Sequence, residues 1–325
     1  MRKVILYTLG FVLICFAIPI IFTKKTDIQK TKDTDKESNE THTYQKYGTV
    51  RLLHTASGEI ETLSMDEYLY GVVSAEMPAN FEQEALNAQA IVARTYTAYK
   101  MFKGSKHENA DICDDSACCQ AWISKEDRFL KWNENDRESN WNKILAAVNS
   151  TTGKIITYNN EPINAFFHSN SGGSTETVSN VWGGTDYPYL QSVETSGEEG
   201  YSQYNSQVIL TKEELIKKLQ DNYPEIIIDF NTENPIKIID YTDSGRVKTI
   251  QLGNINISGV EARTLFGLRS AKFSVEVGDN IIFNVTGYGH GVGLSQTGAD
   301  AMAKTGANAE QIINHYYTNI KIEKI

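Results

Sequence analysis

Ser74-Ala75-Glu76-Met77-Pro78 is followed closely by Phe81-Glu82-Gln83-Glu84-Ala85-Leu86-Asn87-Ala88-Gln89-Ala90-Ile91-Val92-Ala93-Arg94-Thr95-Tyr96. Proline pushes the residue before it out of the α region, so the first segment ends a helix and leaves Glu76 at that end. The second segment, 81 to about 102, reads as a helix that is apolar or small on most faces and therefore central. The negative end of a helix dipole raises a nearby carboxyl pKa. Burial against Met77, Pro78 and the apolar helix raises it further. An acid kept protonated near neutral pH suits proton donation, although a solvated glutamate at a helix end is the commoner arrangement. Arg94, inside the apolar helix, calls for a carboxylate partner or a substrate anion. The residues leave a structural ion pair and a site role equally open.

Upstream, Thr49–His54 and Glu59–Leu63 read as a hairpin across Ser57-Gly58. Ser64 and Glu67 form a capping box for the helix that ends at Glu76. Asn80 with Gln83 reads as the same signal for the second helix. Further upstream, 23–46 is polar and charged with almost no apolar residue, a solvated tether. Residues 4–22 carry no charge and are long enough to span a bilayer, and no small-x-small cleavage site follows them. They read as an uncleaved single-pass anchor with the body of the chain outside the cytoplasm. The net charge of -10 over 325 residues disfavours a nucleic-acid surface.

Downstream, 106–120 is a loop holding Cys113, Cys118 and Cys119, while Cys15 lies in the apolar run. His107, Cys113 and Cys119 are separated by five residues twice. Histidine and thiolate are the usual zinc ligands, and a Cys113–Cys119 disulfide is the alternative. A short helix over 141–150 comes next. Lys154–Tyr158 and Ile163–Ser169 read as strands paired across Asn159-Asn160. A stretch from about 202 to 283, with a helix over 211–222 among short strands, reads as a β-rich subdomain. Two helices follow the glycine-dense 287–293, the second capped by Asn308 with Gln311. Glycines admit a ligand to backbone amides, so Ser169-Asn170-Ser171-Gly172-Gly173-Ser174-Thr175 and the His290 loop suit a polar, uncharged ligand such as a sugar. Taken alone, each is more often a tight turn. No GxSxG elbow and no phosphate-binding P-loop is present. The fold class is α+β: a helical part packed on mixed strands, with a substrate groove.

Several stretches in family order resemble the stage II sporulation protein D (SpoIID) / LytB-domain family. They are Glu76 to Tyr96, Asp111-Ile112-Cys113 through Trp122, Phe166 to Thr175, Ser244-Gly245-Arg246-Val247, Arg263 to Ser270 and Gly289-His290-Gly291-Val292-Gly293-Leu294-Ser295-Gln296 to Ala299. The resemblance spans nearly everything from Tyr47 onward, as one catalytic domain over 47–325. It implies a lytic transglycosylase that cleaves between N-acetylmuramic acid and N-acetylglucosamine in peptide-stripped glycan strands during spore engulfment. It implies Glu76 as catalytic acid and Arg94 as active-site arginine. Substrate binding falls to Ser169, Ser171, Gly172, Gly173, His290, Ser295 and Gln296, with Gln191 where relatives are expected to carry lysine. The metal site of clostridial members matches His107, Cys113 and Cys119, with Cys118 an extra thiol and zinc the metal. The implied partners are the engulfment amidase SpoIIP and the membrane protein SpoIIM. A non-catalytic amidase-activating module and a zinc-dependent wall amidase are the competing functions.

Overall fold

Residues 47–325 are described by a computed structural model. The anchor expected at 4–22 and the tether at 23–46 lie outside the described residues. Among the described residues, no helix is long and apolar enough to cross a membrane.

β1 (Thr49–Leu53) and β2 (Ile60–Ser64) form the expected hairpin, with Leu53 opposite Ile60. Ser64 caps α1 (Met65–Glu76). Its hydroxyl accepts from the Glu67 N–H, and the Glu67 carboxylate accepts from the Ser64 N–H at 3.0 Å. Met77 then takes an extended conformation at φ −118°, ψ 141°, as a residue before proline must, and the helix stops at Glu76.

α2 (Gln83–Lys103) begins without the cap expected from Asn80. The Phe81 N–H turns back to the Pro78 carbonyl at 3.1 Å. The Glu82 N–H donates to Asp300, 218 residues away, at 2.6 Å. A buried tertiary acceptor thus replaces the local one. β3 (Ile112–Cys113) runs parallel to β1, and α3 (Lys125–Lys131) and α4 (Arg137–Ser150) follow.

β4 (Lys154–Tyr158) turns through Asn159 and Asn160, at φ 52° and 62°, into β5 (Glu161–Pro162). Two left-handed residues are what a two-residue hairpin turn of this hand requires. The hairpin does not continue over 163–169 as expected. Pro162 has no N–H for the ladder, and the last bond is from the Ile163 N–H to the Ile156 carbonyl. The chain then departs, and β6 (Phe167–His168) finds its partner far downstream.

α5 (Val178–Trp182) precedes the β-rich stretch: β7 (Asn205–Thr211), α6 (Lys212–Gln220), β8 (Ile236–Tyr241), β9 (Val247–Leu252), β10 (Ile255–Ser258), α7 (Gly259–Phe266), β11 (Phe273–Val277) and β12 (Asn280–Thr286). Its two sheets, ordered β10-β9-β8 and β11-β12-β7, surround an apolar cluster that includes Leu215, Ile250, Phe266 and Phe283. β13 (Leu294–Ser295) pairs parallel with β6. α8 (Gln296–Lys304) and α9 (Ala309–Tyr316) follow, the latter with the expected Asn308/Gln311 box. β14 (Lys321–Lys324) then lies antiparallel on β4. α2 touches α1, α4, β4, α8 and α9, and its Ala85, Leu86, Ala88, Ile91 and Ala93 are fully enclosed in the main apolar core. The fold is therefore α+β: α1, which carries Glu76, packs on the buried α2, the β4–β5 strands lie against α2, and the β-rich stretch has an apolar cluster of its own.

Candidate active site

Glu76 projects from the end of α1 into a cleft. It lines two cavities, of about 400 Å³ and about 850 Å³, and shares that position with Ser169 and Gln296. One carboxylate oxygen accepts the Ala121 N–H at 2.6 Å. Burial pushes the Glu76 pKa up to about 6, against the opposing pull of the Ala121 N–H and the Gln296 side chain. Burial rather than the helix terminus is the main cause. Among the described residues lining the two cavities, Glu76 is the only carboxylate.

Ala121 belongs to the end of the cysteine loop, and three anchors hold that end. Gln120 is buried and donates to the Tyr68 hydroxyl at 2.9 Å and to the Thr97 hydroxyl at 3.0 Å. The Trp122 indole lies flush on α1, where a Cβ at Gly71 would stand 2.2 Å from its ring nitrogen. Only glycine fits there.

The third anchor is a cluster of His107, Cys113, Cys118 and Cys119, whose donor atoms all lie within 4.8 Å of one another. His107 Nε2 is 3.4 Å from Cys118 Sγ and 3.5 Å from Cys119 Sγ, and the two sulfurs are 3.6 Å apart. A tetrahedral zinc with bonds of about 2.3 Å to sulfur and about 2.0 Å to nitrogen places its ligands about 3.5–3.8 Å apart. The donor set and the spacing of His107, Cys118 and Cys119 therefore fit zinc, with Cys113 within 4.8 Å of each of them. All three thiols are free, so the alternative Cys113–Cys119 bridge does not form.

Other expected site residues separate into two groups. Ser169, Gln296 and His290 line the cleft. His290 sits among the rings of Phe166, Trp182 and His168, with centroids 4.9 Å apart for Trp182. Burial holds its pKa well below the ordinary histidine value, helped by His168 and Arg263, so the ring is neutral.

Arg94 does not line either cavity. Its guanidinium donates to the carbonyls of Thr151 (2.9 Å), Val148 (3.2 Å) and Lys154 (3.3 Å) and pairs with Asp66 at 3.1 Å. It holds the carbonyl-rich end of α4, a structural ion pair rather than a group beside Glu76. Ser171, Gly172, Gly173 and Ser295 also turn away from the cleft. Ser171 and Ser295 are fully buried and donate to Glu198, which also accepts the N–H groups of Ser171 and Gly173. The Gly172 carbonyl accepts from Lys272 at 2.7 Å. Gln191 is exposed, and its amide donates to the carbonyls of Pro188 (3.2 Å) and Tyr187 (3.4 Å), outside both cavities.

Sequence reasoning missed the aromatic and basic lining. Tyr96, Phe166, Trp182 and Tyr288 line the larger cavity, and Trp182 remains 51 % exposed while lying 4.7 Å from the Phe166 ring. Apolar faces beside hydrogen-bonding groups are what a pyranose ring requires. The one available signal was a tryptophan set beside Gly183-Gly184.

Known proteins resemble this chain in sequence. The family model described as stage II sporulation protein (SpoIID) matches residues 53–158, the span from β1 through Glu76, α2 and the cysteine loop to β4. Stage II sporulation protein D of Bacillus subtilis (strain 168) is 35% identical over 279 residues, covering 85% of this chain and 79% of that protein. Its counterpart in Bacillus amyloliquefaciens is 34% identical over 278 residues, covering 85% and 78%. The amidase enhancer of Bacillus subtilis (strain 168) is 29% identical over 302 residues, covering 77% of this chain and 39% of that protein. With more than a third of residues identical across most of both sequences, the chain belongs to the stage II sporulation protein D family.

Proposed function

We propose that the protein is a membrane-anchored lytic transglycosylase, cleaving muramoyl–glucosaminyl bonds in peptide-stripped peptidoglycan during spore engulfment. The observation that carries this reading is the solitary carboxylate at the junction of two cavities. A retaining glycosidase needs a second carboxylate as nucleophile, and an inverting one needs it as base. A lytic transglycosylase needs neither, because the muramoyl 6-hydroxyl attacks its own C1 with the large effective molarity of an intramolecular reaction.

In this mechanism protonated Glu76 gives its proton to the glucosaminyl O4 as the C1–O4 bond breaks. The 6-hydroxyl oxygen bonds to C1, and its proton passes to the Glu76 carboxylate. The 1,6-anhydro-muramoyl end forms, water is not consumed and the acid is restored. A pKa of about 6 lets one group perform both transfers. The Ala121 N–H and Gln296 orient the carboxyl. Zinc held by His107, Cys113, Cys118 and Cys119 would fix the loop end that presents Ala121. Four protein donors suit a closed structural site better than a catalytic one with an open position, which disfavours the amidase reading. The apolar run at 4–22 supplies the anchor in this scheme, and SpoIIP and SpoIIM are proposed partners.

The likeness to the amidase enhancer favours a second reading, a module that stimulates an amidase without chemistry of its own. One experiment separates the two. Full-length protein and its Glu76→Gln variant are incubated with peptide-free glycan strands, and the products are read by mass spectrometry. Products ending in 1,6-anhydro-muramic acid, lost in the variant, are the expected result. Reducing ends carrying added water would indicate a hydrolase. Intact strands from folded protein would favour the module.

A further inference from the structure

We propose that Arg263 and Arg128 form two anion sites on the two sides of Glu76, each binding the lactyl carboxylate of a peptide-free muramoyl residue. The proposal deepens the transglycosylase reading and rests on it for the identity of the ligand.

The charge of the cleft runs against that of the molecule. The chain carries a net charge of -10. Yet Lys100 and Arg263 line the larger cavity and Arg128 the smaller, against Glu76 as sole carboxylate. Arg263 is half-buried, and among the described residues no hydrogen-bonding side chain or carboxylate acts on its guanidinium. Burial lowers its pKa, and the only opposing influence is Tyr288. Arg128 is also half-buried. It lies 4.8 Å from the Trp132 ring, and its Nε is enclosed without a partner. Burial alone lowers its pKa. Withdrawing a cation from water with no counter-charge is unfavourable. Arg94 and Arg246 show what this chain does with structural arginines: both are tied to several oxygens. Arg128 and Arg263 lack such acceptors and face the cleft. A planar guanidinium in that condition suits a carboxylate from the ligand.

The substrate has the matching pattern. Muramoyl and glucosaminyl units alternate, so a cut between them leaves one muramoyl unit at the bond and the next one beyond the glucosaminyl unit on the other side. Each free lactyl group is an anion. A stem peptide converts that group to an amide, which removes the charge and adds bulk. Two guanidiniums flanking the acid would therefore select stripped strands.

The test is a binding measurement in full-length Glu76→Gln protein, which holds strands without cutting them. The ligands are peptide-free strands with free lactyl carboxylates and the same strands converted to methylamides. Losing a charge-assisted hydrogen bond is expected to weaken binding about ten- to a hundredfold. Adding Arg263→Gln or Arg128→Gln should shrink the ratio between the two ligands, and both together should bring it near one. Equal affinity for the two ligands, or a ratio untouched by both substitutions, overturns the proposal. If a variant does not fold, the amidation comparison alone decides. Cleavage by wild-type protein with the same KM on both strands also overturns it while leaving the transglycosylase standing. Carboxylate-dependent binding without any cleavage supports the anion sites and removes the transglycosylase instead.

Discussion

Glu198 and Glu76 are both withdrawn from water, and they differ in how many donors surround them. Glu198 accepts from Thr195 (2.8 Å), Thr297 (2.9 Å), Ser171 and Ser295, and from the N–H groups of Ser171 and Gly173. Burial alone would raise its pKa, but those donors hold it below the ordinary carboxylate value. Glu76 has the Ala121 N–H and Gln296, too few to offset burial, and its pKa rises to about 6. The comparison teaches that burial does not identify a working acid. A saturated carboxylate is a joint between loops, and an under-supplied one at a cavity wall can give up and regain a proton.

The largest test of that contrast is Glu76→Gln. Loss of a positioned acid is expected to lower the cleavage rate by about 10²–10⁴-fold or more, measured as anhydro-muramoyl ends formed per unit time. The same variant should be more stable than wild type at pH 7. The folded pKa lies above the ordinary 4.5. Folding therefore favours the protonated form, and stability is lost as pH rises from about 4.5 through about 6. At pH 7 the penalty is about 2 kcal/mol, and glutamine removes it. Wild-type activity should fall above about pH 6 as the acid ionises. A variant that kept its activity would end the assignment of Glu76.

Glu198→Ala should do the reverse: destabilise first, with catalysis lost through unfolding. It strands several buried hydroxyl and N–H donors, each costing about 1–3 kcal/mol when left unmade. Chemical denaturation at pH 7 measures the loss. Here the folded pKa is depressed. The Glu198 contribution is therefore present above the ordinary carboxylate pKa and disappears as pH falls through the lower folded value. The variant should lack that acid-side loss.

These two carboxylates also mark what the sequence could and could not convey. Helix boundaries set by neighbouring residues were legible: the Ser64/Glu67 and Asn308/Gln311 boxes and the Pro78 stop all form as expected. Features set by distant residues were not. The Asn80 cap gave way to Asp300, and the partner of Phe167–His168 lay at Leu294–Ser295. Glu76, Ser169 and His290, which line the cleft, sit in segments whose local chemistry already points to a ligand, whereas Gln296, also in the lining, is singled out only by the family resemblance. Ser171 and Ser295 were placed on the wrong side of the loop. A serine that hydrogen-bonds a sugar and one that hydrogen-bonds Glu198 read identically until the chain is folded. Arg94 was ambiguous for the same reason.

A smaller effect should come from the metal cluster, which is tied to the Glu76 carboxylate through the Ala121 N–H while Cys118 and Cys119 stand in the wall of the larger cavity. That bond lowers the Glu76 pKa. Loosening the loop by chelation should therefore move the alkaline limb of the pH–rate profile upward, on the order of one pH unit, while slowing the reaction through poorer positioning. Cys118→Ser should ease metal removal by chelators, followed by metal release in solution. Complete loss of cleavage in a chelated but folded protein would instead tie the metal to the chemistry.

The smallest expected change is at Gln191. Its side chain is exposed and engaged with the carbonyls of Tyr187 and Pro188, and it lines neither cavity. Gln191→Lys introduces the residue type that the family resemblance leads one to expect, yet a surface substitution of this kind should shift stability by no more than about 0.5 kcal/mol. Because the position stands outside the cleft built around Glu76, KM for short strands should not change. Longer strands give the sharper version. If Gln191→Lys tightens binding only when the glycan extends past the cavities, the groove continues over the Tyr187–Gln191 surface, and Glu76 lies near the middle of a longer track.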